Sequence, residues 1–418
     1  MTVRGRARIA LVVGLGLLAA AVAFRRASQG SVPGRKPARP ASKTVASRPP
    51  KRSPAPPVLD QEASRRARTE AIRRSIEELR DECRQAAAGD WDRWTALVEP
   101  ARAELRAKIE ACRPLHPEAT GDFEARSAVL EGKDGFPLFE PAPRVYLNHI
   151  LEPHSIESSF DHGRSVIAAS RWLRERGIDV LFVTVPKMTE VYPEHFLDHV
   201  PADGVLAPHI RRVVLELLEA DVEAIDLLHD LRRERDSGDG PLYQPADPHW
   251  TPRAQAIGAR RIAERMLRYD FVARAQARPP TCLWGLSPYK SASEGAAFGA
   301  LHPDQQRRAI EAQPKMYPFP RDCTGPLYDD EAPVVCIGDS YNAGFTDHLA
   351  GELNVPVRNL SGGGFTTQRF RDFLRDPGLL RGARVVVWTV CYTNLEGPWT
   401  LPRPIAEPPR GRVKEQTQ

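Results

Sequence analysis

Acidic residues are absent from the first 58 positions, which carry twelve Arg and Lys between Arg4 and Arg52. The formal net charge of +5 over 418 residues is therefore a property of this tail, and the remainder of the chain is mildly acidic. No aromatic residue stands among the basic ones from Arg25 to Arg52, and no nucleic-acid motif follows them. That excludes the basic, aromatic-interleaved surface a nucleic-acid partner needs, and leaves a solvated basic segment suited to anionic lipid or cell-wall polymer. Cysteine is scarce, six in all. No Cys/His spacing matches a zinc site, so no metal is expected, and no Cys lies near the N-terminal apolar run to accept a lipid.

That run, Ile9 to Phe24, is bounded by Arg4, Arg6 and Arg8 on one side and by Arg25 and Arg26 on the other. It reads as a signal peptide or signal anchor over residues 1–26. At sixteen residues it falls short of the about 20 that span a bilayer comfortably, and Ala21-Val22-Ala23 offers a cleavage site. Cleavage and retention both stay open, and either one exports the chain to a periplasm or cell surface. Residues 27–59, rich in Pro, Ser, Ala and Arg, have too little to bury to offset the entropy of ordering, and are expected to be a disordered tether. Oxidising conditions make Cys83–Cys112 and Cys282–Cys323 candidate disulfides. Cys336 and Cys391 fall inside apolar runs and read as small buried thiols.

Residues 60–113 switch to helical composition. Ile72, Ile76, Leu79 and Cys83, then Trp94, Leu97, Ala101 and Leu105, recur at helical spacing and predict a helical hairpin. From 114 to 400 the pattern alternates between helix and strand, and residues 401–418 form a tail. Strands are expected at Val180–Val185, Val222–Leu227, Val334–Ile337, Val355–Leu360 and Arg384–Val390. Helices are expected at Ser165–Arg176, closed by Gly177, at Pro208–Ala220, and from Thr251-Pro252 to about Leu267 with a capping Thr and proline at the first helical position. Two more are expected near Asn342–Glu352 and Thr366–Arg375, and residues 282–323 read as a loop-rich insertion. Five mainly parallel strands with intervening helices imply a three-layer α/β fold. In such a sheet chemistry sits at the carboxyl ends of the strands.

Two segments carry that chemistry. Ser340, in Ile337-Gly338-Asp339-Ser340, stands where a buried strand turns into a helix, which would expose its hydroxyl and aim its backbone N–H at an oxyanion. Asp247-Pro248-His249-Trp250 places a carboxylate two residues before an imidazole. That spacing can hold Nδ1–H locally and leave Nε2 free to take the serine proton. Ser340, His249 and Asp247 are thus candidate nucleophile, base and orienter. Gly363 and Gly364, in the Gly-rich turn after the strand ending near Leu360, are candidate oxyanion donors. Asn394 is a second candidate donor or a capping residue, and Tyr341 and Arg369 are candidate substrate contacts. The chemistry calls for no cofactor.

These motifs, Ile337-Gly338-Asp339-Ser340-Tyr341, Gly362-Gly363-Gly364 and Asp247-Pro248-His249-Trp250-Thr251-Pro252, together with Val185-Pro186-Lys187-Met188 and Val191-Tyr192-Pro193-Glu194, resemble the SGNH-hydrolase-like domain of periplasmic alginate O-acetyltransferases. The resemblance covers roughly residues 125–395. Its most specific element is the Asp-x-His-Trp motif upstream of the serine, since common SGNH esterases place theirs downstream. It implies an SGNH-hydrolase-like fold and a serine-dependent O-acetyltransferase acting on an exported or cell-surface polysaccharide. It also implies a membrane-bound O-acyltransferase as the source of acetyl. The chain departs from the pattern in its helical hairpin and in the Cys282–Cys323 segment, and the C-terminal carbohydrate-binding module of some members is not expected in the short stretch after the last strand. Alginate itself is therefore not implied. A carbohydrate esterase with the same three residues and a non-catalytic polysaccharide-binding scaffold are the alternatives.

Overall fold

A computed structural model describes residues 61–87, 91–111, 129–136, 138–140, 153–237, 240–245, 247–288, 298, 301–313, 316–361 and 366–395. The expected leader, tether and C-terminal tail lie outside these residues, as do Gly362–Gly364, Cys112 and the side chain of Cys83. The chain divides into two units, Met1–Ala63 and Ser64–Gln418. Of the first, only the opening residues of a helix are described. No described helix is long and apolar enough to cross a membrane.

Helices α1 (Gln61–Ala87) and α2 (Trp91–Ala111) occupy the stretch with helical periodicity. From the second unit Ile72, Leu79, Ala101, Leu105 and Ile109 join the same apolar cluster as the central sheet. Polar contacts fix the docking. Arg68, itself buried, reaches Asp179 at 2.5 Å and Asp221 at 3.3 Å, and Trp94 Nε1 donates to Asp203 at 2.9 Å. The short antiparallel strands β1 (Leu130–Glu131) and β2 (Phe139–Glu140) follow.

The remainder alternates as the sequence pattern requires. Helix α3 (Pro153–Arg174) leads to β3 (Asp179–Val185), α4 (Pro208–Glu219) to β4 (Glu223–Asp226), and α5 (Leu228–Arg235) through a loop to α6 (Pro252–Met266) and α7 (Asp270–Gln276). Strands β5 (Leu283–Pro288) and β6 (Met316–Arg321) flank α8 (Pro303–Ala312). After them come β7 (Val334–Gly338), α9 (Phe345–Leu353), β8 (Val357–Asn359), α10 (Thr366–Arg375) and β9 (Val385–Cys391). The five expected strands form one sheet in the order β4-β3-β9-β7-β8, and every pairing is parallel. All residues of β7 and β9 are buried, so both faces are covered, which explains their unbroken Val-rich runs. On one face, Phe182, Trp388 and Phe370 pack edge to face or tilted at 4.9–5.5 Å, joining β3, β9 and α10.

Two details differ from the sequence reading. The presumed loop-rich insertion contains an antiparallel β5–β6 ribbon, its open end joined by a Cys282–Cys323 disulfide. Pro288, Pro318 and Pro320 disguise it, because proline is tolerated in a ribbon with two free edges but argues against an interior strand. The helix expected from Asn342 begins at Phe345 instead. A 3₁₀ turn, Ser340–Asn342, and Gly344 at φ +76° intervene, so the chain turns twice before the α-helix starts. Cys336 and Cys391 are buried free thiols, and burial pushes the Cys336 thiol up to about 12.

Candidate active site

The site lies at the carboxyl edge of the sheet, where β7 ends in Gly338. A Cβ there would sit 2.0 Å from Asn342 Nδ2 and 2.2 Å from the Thr389 carbonyl oxygen. Only glycine lets β7 run this close to β9 before the chain turns. Asp339 caps the 3₁₀ turn by accepting the Tyr341 N–H at 2.9 Å. Ser340, at the first position of the turn, is exposed.

The partner segment is the loop between α5 and α6. Thr251 closes it as the cap of α6, and the isolated bridge Tyr243–Trp250 folds it back on itself. Tyr243 donates its hydroxyl to the Pro186 carbonyl at 2.5 Å, and Leu242 N–H donates to the Tyr192 hydroxyl at 3.1 Å. Both bonds anchor the loop beyond the end of β3. Within it, Asp247 Oδ1 accepts the backbone N–H of His249 at 2.9 Å and faces Nδ1 of the same ring at 2.5 Å. One carboxylate oxygen thereby sets both the backbone and the ring. His249 Nε2 lies 2.8 Å from Ser340 Oγ. Asp247 is 16% and His249 31% exposed, so the carboxylate is the more sheltered of the pair and the imidazole faces the opening. With Asp247 on Nδ1, the neutral ring carries its proton there and Nε2 accepts from the serine.

The two segments are joined through Tyr341 and Trp250. Trp250 Nε1 donates to the Tyr341 carbonyl at 2.8 Å, while the Tyr341 hydroxyl donates to the Pro248 carbonyl at 2.5 Å. The Tyr341 ring lies 4.9 Å from that of His249. Tyr341, read from sequence as a substrate contact, is 4% exposed and has its hydroxyl on the histidine loop. Asn394 donates to Asp339 Oδ2 at 2.7 Å. Arg369, on α10, faces Asp372 at 3.4 Å. Gly363 and Gly364 lie outside the described residues. Among the described residues no group of three or more His, Cys, Asp or Glu is arranged to hold a metal.

Sequence reasoning passed over Asp339 as a group in its own right. The residue is 7% exposed, and burial raises its pKa, opposed by hydrogen bonds from Asn394 and the Cys391 and Tyr341 N–H groups. The available signal was an acidic residue at the end of a fully apolar strand, which demands buried donors.

The sequence profile described as "SGNH hydrolase-like domain, acetyltransferase AlgX" matches residues 147–391, more than half of the chain. The chain belongs to this family. Its match therefore spans both segments of the site and all five strands of the sheet. A 90-residue segment is 29% identical to the probable alginate O-acetylase AlgJ of Pseudomonas syringae pv. tomato, covering 22% of this chain and 22% of that protein. The family member is also similar to the O-acetyltransferase domain of Pseudomonas putida AlgJ, at 20% identity and a TM-score of 0.48 over 65% of this chain and 94% of that one. It is similar to Pseudomonas aeruginosa AlgX at 14% identity and a TM-score of 0.42, over 70% and 71% of the two chains. Against Bacillus cereus PatB1 the values are 14% and 0.43, over 66% and 100%.

Proposed function

We propose that this protein is a serine-dependent O-acetyltransferase that works by double displacement on an exported or cell-surface polysaccharide. The observation that carries the reading is the continuous line from Asp247 Oδ1 to His249 Nδ1 at 2.5 Å and from Nε2 to Ser340 Oγ at 2.8 Å. Family membership supports the reaction class. Ser340 Oγ attacks the acetyl carbonyl of a donor ester as His249 Nε2 takes its proton. The imidazolium, steadied by Asp247, then protonates the departing donor alkoxide, leaving an acetyl-serine. A sugar hydroxyl enters, loses its proton to Nε2 and attacks the acetyl carbon. The Oγ–carbon bond breaks, and Oγ recovers the proton. The backbone N–H of Ser340 and the 362–364 turn are the oxyanion donors of this proposal.

The acetyl source in this reading is a membrane-bound O-acyltransferase. The Ile9–Phe24 run serves as the leader or anchor that brings residues 60–113 and 114–400 to the outer side of the membrane. A hydrolytic reading draws on one observation: Ser340 is exposed, so water reaches it. Incubating the protein with 4-nitrophenyl acetate, with and without polysaccharide fragments, separates the two. The transferase reading expects ester on the sugar and faster turnover with acceptor, both abolished in Ser340→Ala. Acetate release indifferent to every acceptor tested would sink it.

A further inference from the structure

We propose that Asp339 is a positioning residue, whose buried carboxylate locks the nucleophile turn to the end of the neighbouring strand, with Asn394 as the donor on which that lock depends. The inference rests on the double-displacement reading above. Asp339 Oδ1 accepts the Tyr341 N–H at 2.9 Å, inside the turn that carries Ser340. Its Oδ2 accepts two donors, the N–H of Cys391, the last residue of β9, at 2.8 Å and Asn394 Nδ2 from the turn after it at 2.7 Å. One carboxylate thus spans the ends of β7 and β9, which already pair in register through Gly338 and Thr389.

The second anchor is held in turn. Tyr392, between Cys391 and Asn394, donates its hydroxyl to Asp226 Oδ1 at 2.7 Å, and Asp226 Oδ2 pairs with the buried Arg211 at 3.0 Å. The chain of contacts therefore runs from α4 through the end of β4 to the turn after β9, and on through Asp339 to the residue bonded to Ser340. Asp339 touches neither Ser340 Oγ nor His249 by any hydrogen bond described. Its effect on reaction is through placement, and a displacement of about 1 Å at a reacting atom can cost on the order of 100-fold in rate. The titratable groups that face it are His249 across the site, which favours the ionised carboxylate once the ring takes the serine proton, and the buried Cys391 thiol beside it. Lys187, at the end of β3, acts on that thiol.

Asn394→Asp tests this, because it keeps the shape of the side chain and makes its hydrogen bond conditional. Two carboxylates in contact share one proton at low pH and repel once it is lost, with a raised pKa for the pair. The full-length protein, Asn394→Asp, Asn394→Ala and Ser340→Ala are assayed with 4-nitrophenyl acetate from pH 6 to 9, and melting temperatures are taken at each pH. The expected result for Asn394→Asp is kcat within about 10-fold of wild type at pH 6, falling about 100-fold relative to wild type by pH 9, with KM little changed. Asn394→Ala is expected to lose kcat by a constant factor across the range. A ratio of Asn394→Asp to wild type that does not vary with pH overturns the proposal. So does loss at every pH equal to that of Asn394→Ala, which would make the amide a direct oxyanion donor. If Ser340→Ala turns over as well as wild type, the underlying reading fails first and takes this proposal with it.

Discussion

His348 is buried on α9, four residues beyond the Gly344 that follows the nucleophile turn, and neither ring nitrogen has a hydrogen-bond partner among the described residues. Its ring stacks with Trp284 of β5 at 5.7 Å and meets Phe319 of β6 edge-on at 5.7 Å. It is therefore the centre of the contact between the disulfide-linked ribbon and the helix behind the serine. Burial alone lowers its pKa to about 4, against about 6.5 for a free imidazole. Because the folded value is the lower one, the unfolded chain binds the proton first. The stabilising contribution is complete above about pH 6.5 and is lost as pH falls towards 4. Between pH 7.5 and 5.0 the loss from this one residue is about 2 kcal/mol. Urea unfolding of wild type and His348→Leu at pH 7.5, 6.5, 5.5 and 5.0 checks it. The substitution is expected to shift stability at neutral pH through packing, and to make the decline on acidification shallower by that about 2 kcal/mol. The pKa of Asp347, the preceding residue, is raised by burial, and that residue is common to both proteins, so it cancels in the difference. Parallel declines for the two would refute the argument that desolvation of His348 makes the fold acid-sensitive.

Two further outcomes follow from the site. Asp247→Asn can still accept both N–H groups of His249 at Oδ1, but it removes the negative charge that steadies the imidazolium formed when His249 takes the serine proton. It is expected to lower kcat by about 10³–10⁴, roughly 4–5.5 kcal/mol at the transition state, with little change in melting temperature. Steady-state kinetics on the acetyl ester give the answer, and a loss under 10-fold would remove Asp247 from the reaction. Gly338→Ala places a methyl 2.2 Å from the Thr389 carbonyl oxygen, which is backbone and has no rotamer to yield. A cost of about 3 kcal/mol or more is expected, read as a fall in melting temperature; an unchanged value would mean that β7 and β9 can separate without penalty.

What was legible in the sequence was local. Continuous apolar runs located β3, β7 and β9, because a strand covered on both faces has few polar positions, whereas β4 and β8, which carry Glu223, Asp226, Arg358 and Asn359, were legible only from the alternation of strand and helix around them. Thr251-Pro252 marked a helix start for the same kind of reason, since capping is settled within one turn. Asp247 and His249 could be paired on paper because a single residue, Pro248, separates them. Ser340 and His249 could be linked only as residue types whose chemistry fits.

Tertiary structure decided the rest. Residues 91 positions apart meet at 2.8 Å only because the sheet order puts β7 beside β9 and one strand away from β3, with the histidine loop anchored at the end of β3 by Tyr243 and Tyr192. The turn of Asn394 onto Asp339 and of the Tyr341 hydroxyl onto Pro248 had no sequence signal, since neither partner is a chain neighbour. The β5–β6 ribbon was hidden by its prolines. Composition and periodicity report what a segment needs to bury. Which groups then meet depends on register and strand order, and those are properties of the packed chain.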